Sequence, residues 1–113
     1  MRKNRPDVLY IAGPMTGIPE HNFPQFMKAA RYLRRRGYAV INPAEMDIFV
    51  DKRKVTWEFC MARDFAAITG AYLAGLRVEI ALLPRWFRSR GARHEVALAE
   101  MLKLKSVLYK EYK

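Results

Sequence analysis

The chain has 113 residues, 51% of them hydrophobic and 28% charged, with a formal net charge of +10. That is enough material for one domain with a core of its own and too little for two. No apolar run approaches the roughly 20 residues of a membrane span, Met1–Asp7 lacks the apolar core of a signal peptide, and Cys60 is the single cysteine. A cytoplasmic protein with neither disulfide, metal nor cofactor is the expectation.

Val8–Ala12 reads as a buried strand that runs into a turn-rich loop, Gly13–Pro19. Asn22, with Gln25 three residues on, reads as the N-cap of a helix in which Phe23, Phe26, Met27, Ala30 and Leu33 recur at helical spacing until Gly37. Tyr38–Pro43 is the second predicted strand. Residues 44–54 keep no period and are expected to form a loop or lid over the strand ends. Thr56 is positioned to cap a second long helix reaching about Ala74. A third strand, Val78–Leu83, is stopped by Pro84, a helix is expected over 92–104, and Ser106–Tyr109 reads as the last strand.

Strand and helix alternate throughout, the pattern of a parallel sheet covered by helices on both faces. The expected class is a three-layer α/β/α domain with a four-stranded parallel sheet, flavodoxin- or Rossmann-like. Such sheets bind ligands beyond the carboxyl ends of their strands, so Gly13–Gly17 and Pro84–Gly91 should meet there.

The most informative segment is Ser89-Arg90-Gly91-Ala92-Arg93-His94-Glu95. It leads from a strand through a glycine-containing turn into a helix, and the start of a helix offers backbone N–H groups and a favourable dipole to an anion. Glu95 should lie about one turn in. At helical spacing Glu95 shares a face with Leu98, Ala99 and Leu102, and Asp64 shares one with Trp57, Cys60, Met61, Ile68 and Ala71. A carboxylate on an apolar face is costly unless it has a partner or a task, and burial raises its pKa into a range useful for catalysis. The plainer alternative pairs Glu95 with Arg90 or Arg93 and gives Asp64 hydrogen bonds from a loop. Two such carboxylates beside one anion-binding turn favour a catalytic site.

Cations fall in four groups: Arg2, Lys3 and Arg5; Arg34–Arg36; Lys52–Lys54; and Arg85, Arg88, Arg90 and Arg93. Such an excess attracts polyanions, nucleic acid among them, and phosphorylated small molecules equally. Phe23, Phe26, Tyr38 and Trp57 fall on predicted core positions and leave no stacking platform, so a nucleic-acid partner is not favoured.

Several segments together resemble the nucleoside 2-deoxyribosyltransferase-like family, in particular its small phage-associated branch. They are Tyr10–Gly17, Asn22-Phe23 to Phe26, Gly37-Tyr38 to Ala44, Arg63-Asp64, Leu83–Trp86 and Ser89–Ala99. The resemblance implies that Glu95 is a nucleophile attacking the anomeric carbon of a deoxyribosyl group, that Tyr10 orients it, and that Asp64 helps protonate the departing base. It implies that Ser89 binds a 5′-phosphate, with Gly13, Pro14, Met15, Thr16, Arg90 and Gly91 around the substrate. Thr16 stands where monophosphate hydrolases of the family carry an arginine, leaving Arg85, Arg88 or Arg90 to supply the charge. Arg85 replaces a usual glycine, and Glu79 is the candidate for an aspartate that relatives carry before the third strand.

The resulting expectation is an N-glycosidase or deoxyribosyltransferase acting on a nucleotide. The alternatives are a nucleotide sensor without turnover and a basic nucleic-acid-binding module. A homo-oligomer is also implied by the resemblance, with residues 44–54 and Tyr109–Lys113 as contributors.

Overall fold

The computed structural model describes residues 5–48, 50–51 and 55–113. Four parallel strands, β1 (Val8–Ala12), β2 (Val40–Ile41), β3 (Val78–Leu82) and β4 (Ser106–Leu108), form one sheet in the order β2-β1-β3-β4. The helices are α1 (Phe23–Arg35), α2 (Pro43–Asp47), α3 (Trp57–Leu73) and α4 (Arg90–Met101). Among the described residues, no helix is long and apolar enough to cross a membrane.

β1 is buried at every position because it pairs on both edges and is covered on both faces, which is why its sequence is an unbroken apolar run. Its side chains alternate between two cores. Tyr10 and Ala12, with Ile80 and Leu82 of β3, pack against Ile68 of α3 and Ala92, Val96 and Ala99 of α4. Leu9 and Ile11, with Ala81 and Leu83, pack against Phe26, Ala29, Ala30 and Leu33 of α1 and against Tyr109 and Tyr112. The result is the expected three-layer, Rossmann-like α/β/α domain. From β1 the chain moves to β2 on one side and then crosses to β3 on the other, so the strand order reverses between β1 and β3. Ligand sites of open α/β sheets form at such a reversal.

Local chemistry explains where the elements depart from expectation. Pro43–Asp47 is helical: the Asn42 side chain accepts the Ala44 N–H at 3.0 Å and Pro43 takes the first helical position, both favourable starts. Phe49 and residues 52–54 of the expected loop or lid lie outside the described residues. Asn22 does not cap α1. Its backbone is left-handed, with φ 61°, and its side-chain amide donates instead to the Pro14 carbonyl at 2.9 Å, tying the loop after β1 to the start of α1. α4 starts two residues early, at Arg90, because the Ser89 hydroxyl accepts the Ala92 N–H at 3.1 Å. The second strand keeps only Val40 and Ile41. The C-terminal residues fold back on their own chain, with Tyr109 and Tyr112 both buried.

Candidate active site

Beyond the carboxyl ends of β1 and β3 lies a cavity of about 670 Å³, a volume suited to a small-molecule ligand. Gly13, Pro14, Met15 and Thr16 of the loop after β1 form one wall, Trp57, Cys60, Met61 and Asp64 of α3 a second, and Arg88 to Ala92 with Glu95 a third. The two distant loops expected to meet do so. Gly13 makes this possible, since a Cβ there would come within 2.6 to 2.8 Å of the Leu83 side chain. The Leu83 N–H donates to the Ala12 carbonyl at 2.9 Å and holds the crossing closed.

Of the other residues singled out from sequence, Tyr10 is wholly buried directly behind Glu95. Arg85 is not part of the wall. It is exposed, and its φ of 63° puts it in the left-handed region, where glycine is the favoured residue. Glu79 also lies elsewhere: it is one step out of phase with Ile80, faces the α1 side of the sheet, and accepts the Tyr112 hydroxyl at 2.7 Å. It therefore does not replace an aspartate at the cavity.

At the start of α4, Ser89 is half-buried and caps the helix, and Gly91 sits inside the first turn rather than in the preceding turn. A Cβ on Gly91 would meet Met61 Sδ at 3.2 Å, so its absence lets α3 and α4 close around the cavity. The Arg90 guanidinium lies 3.9 Å over the Trp57 ring, whose edge meets His94 with centroids 5.8 Å apart. Arg90 is thus held by stacking, not by Glu95. Helix geometry leaves the first N–H groups of α4 pointing outward without carbonyl partners inside the helix.

Glu95 is 5% exposed, and the Tyr10 hydroxyl donates to its Oε2 at 2.6 Å. Burial pushes the Glu95 pKa well above the usual carboxylate range, the Tyr10 hydrogen bond opposes this, and the neighbouring Asp64 carboxylate adds to it. Burial likewise raises Asp64, against the pull of Arg63. The Tyr10 phenol is pushed well up by burial and then by the adjacent carboxylates, so it remains a donor. Arg63 bridges the cluster to α2: its Nη2 donates to Asp64 Oδ1 at 3.0 Å, and its Nη1 lies 2.6 Å from Asp47 Oδ1, an ionic contact without hydrogen-bond alignment. Arg63 thus meets the carboxyl groups of Asp47 and Asp64 together, and burial favours the protonated form of both Asp64 and Glu95.

Sequence reasoning passed over Asp47 and Arg63 and read Trp57 and Met61 as core. The available signal was that Trp57 and Met61 share a helical face with Asp64, so whatever Asp64 meets they meet as well. Arg63 and Asp47 become partners only when α2 forms, which no hydrophobic period announces. No curated protein matches the chain significantly. The family model described as "Domain of unknown function (DUF4406)" matches residues 7–109, and the chain belongs to that family.

Proposed function

We propose that this protein cleaves the N-glycosidic bond of a nucleotide, a 2′-deoxynucleoside 5′-monophosphate by preference, through a covalent Glu95 glycosyl-enzyme. The observation that carries the reading is a buried glutamate, held by a tyrosine and paired with a second carboxyl group, facing a cavity that also receives the start of α4. The likeness to nucleoside 2-deoxyribosyltransferase-like proteins supports the same assignment of Tyr10, Asp64 and Glu95.

In this reading one proton shared by Asp64 and Glu95, both of which burial favours in the protonated form, gives the reaction its order. Glu95 holds it in the empty site. When a nucleotide fills the cavity, the proton passes to Asp64, and the Glu95 carboxylate, steadied by Tyr10, attacks the anomeric carbon. The bond to the base breaks with its electron pair moving to the base nitrogen, which takes the proton from Asp64. Water then attacks the same carbon, gives a proton to the Asp64 carboxylate and frees Glu95, leaving a sugar phosphate. A second base in place of water gives transfer. Two displacements retain the anomeric configuration. The phosphate is assigned to the Ser89 hydroxyl, the outward N–H groups at the start of α4 and the cationic Arg88 and Arg90.

Incubation with a panel of nucleosides and nucleotides, with free base resolved by chromatography, tests the proposal. Base release from a monophosphate is expected, and fastest with the 2′-deoxy sugar. Recovery of every nucleotide unchanged, with binding intact, contradicts it and leaves a sensor. Binding that lengthens with polymer size and falls steeply with salt marks a nucleic-acid module instead.

A further inference from the structure

Arg63 and Asp64 are sequence neighbours on α3, and successive residues of a helix point roughly 100° apart, so their side chains do not ordinarily meet. Here the Arg63 side chain doubles back: its Nε and Nη2 both donate to Asp64 Oδ1, at 3.2 and 3.0 Å. Folding a long side chain back in this way costs rotamer entropy. The remaining nitrogen shows what holds it there. Nη1 is buried without an aligned hydrogen bond and lies 2.6 Å from Asp47 Oδ1.

The position of Asp47 is itself a costly one. It is the last residue of α2, where the helix dipole disfavours an anion, and it is buried, where a carboxylate without a partner is unfavourable. The rest of α2 is fixed from the other side. Ala44 is buried in the core on the α1 side, and Glu45 accepts both Nη groups of Arg34, at 2.6 and 2.7 Å. With five residues α2 is too short to be held by helix propensity, so these contacts and the Asn42 cap set where Asp47 lies.

We propose that Asp47 is a positioning residue, which holds Arg63 Nη1 so that the other two guanidinium donors stay on Asp64 Oδ1 and leave Oδ2 to carry and release a proton. The use of that proton rests on the reading of Asp64 as the acid that serves the departing base; the positioning does not. Among the described residues Asp64 is faced by Tyr10 of β1, Glu95 of α4 and Arg63, and His21, Arg88 and Arg90 line the same cavity. Burial favours the protonated form of Asp64, and Arg63 is the cation that opposes it. Two effects of Asp47 on Asp64 therefore have opposite signs. As a bare negative charge it favours the protonated form, so its loss alone should lower the titration midpoint of Asp64. As the hold on Arg63 it favours the ionised form, so its loss should raise that midpoint.

Carboxyl-carbon NMR titration of Asp64 in the empty protein, assigned with Asp64→Asn, reads the sign without reference to activity. Asp47→Ala should raise the midpoint by about one pH unit, the scale of an opposite charge moved out of reach. In an Arg63→Gln background the same substitution should lower it, because only the bare charge is left to remove. Should the alanine variant fail to fold, Asp47→Asn removes the charge at equal size and carries the same two signs. A lowered or unmoved midpoint with Arg63 in place overturns the proposal, as does a rise that persists in the Arg63→Gln background. With a nucleotide, Asp47→Ala should reduce kcat by about tenfold at little change in KM, since one pH unit is a factor of ten in proton affinity. Midpoints that move as stated in a protein that releases no base uphold the positioning and defeat the glycosidase reading alone.

Discussion

Tyr10 and Glu95 are separated by 85 residues in sequence and joined by one hydrogen bond of 2.6 Å. Because that bond lowers a Glu95 pKa raised by burial, Tyr10→Phe should raise it further. The alkaline limb of the pH profile of kcat/KM, where the pair loses its shared proton, should then move to higher pH, and an unmoved limb contradicts Tyr10 as the orienting donor. Stability carries the opposite mark of the same burial. Glu95 binds its proton more tightly in the folded chain than in the unfolded one, so its stabilising contribution is complete below the ordinary glutamate pKa of about 4.3 and is lost as pH rises through the elevated folded value. Glu95→Gln should remove that decline and melt higher than wild type at pH 8 while losing turnover by orders of magnitude, a trade of stability for activity read by melting curves and base release together. Equal pH dependence of melting in the two proteins would contradict a raised Glu95. Arg85 tests a residue outside the cavity. Its left-handed backbone costs about 1 kcal/mol that glycine does not. Arg85→Gly should therefore stabilise the chain by about that amount in denaturant titration with kcat/KM unchanged; a loss of activity would return Arg85 to the site.

At the scale of elements, α4 shows how a cap and a binding group can be one side chain. Ser89 accepts the Ala92 N–H, so Ser89→Ala removes a cap worth about 1 kcal/mol as well as any phosphate contact. Ser89→Asp separates the two, since aspartate caps equally well but repels a phosphate. It should keep the wild-type melting temperature, keep activity on the bare nucleoside and lose the preference for the monophosphate; an unchanged preference removes Ser89 from the phosphate site. The capping signals at Thr56 and the unbroken apolar run of β1 were legible because each is decided within a few residues. α2 was not, although Asn42-Pro43 is a readable start, because five residues are too few to show a period. Asn22 was misread for a tertiary reason: its amide is taken by the Pro14 carbonyl before it can cap anything. The same holds for Glu79, whose role depends on which face of β3 it occupies and on Tyr112 returning from the end of the chain.

For the whole molecule, alternation of strands and helices was sufficient to foresee the parallel sheet, and with it the meeting of the Gly13 and Ser89 loops at one end. It could not foresee the bridge from α2 through Arg63 to Asp64, because charged pairing across elements leaves no periodic trace. Nor could composition separate the sides of α3, of which one buries Asp64 and Ile68 and the other leaves Phe59 and Leu73 exposed. The central claim is that the carboxylate at this meeting point becomes covalently attached to a sugar. The direct test is intact-protein mass spectrometry of samples quenched in acid during turnover of a 2′-deoxynucleoside 5′-monophosphate, followed by peptide mapping. The account predicts an adduct of one deoxyribosyl phosphate on Glu95, absent from Glu95→Gln. Base released at full rate with no adduct, or at an undiminished rate by Glu95→Gln, would contradict it.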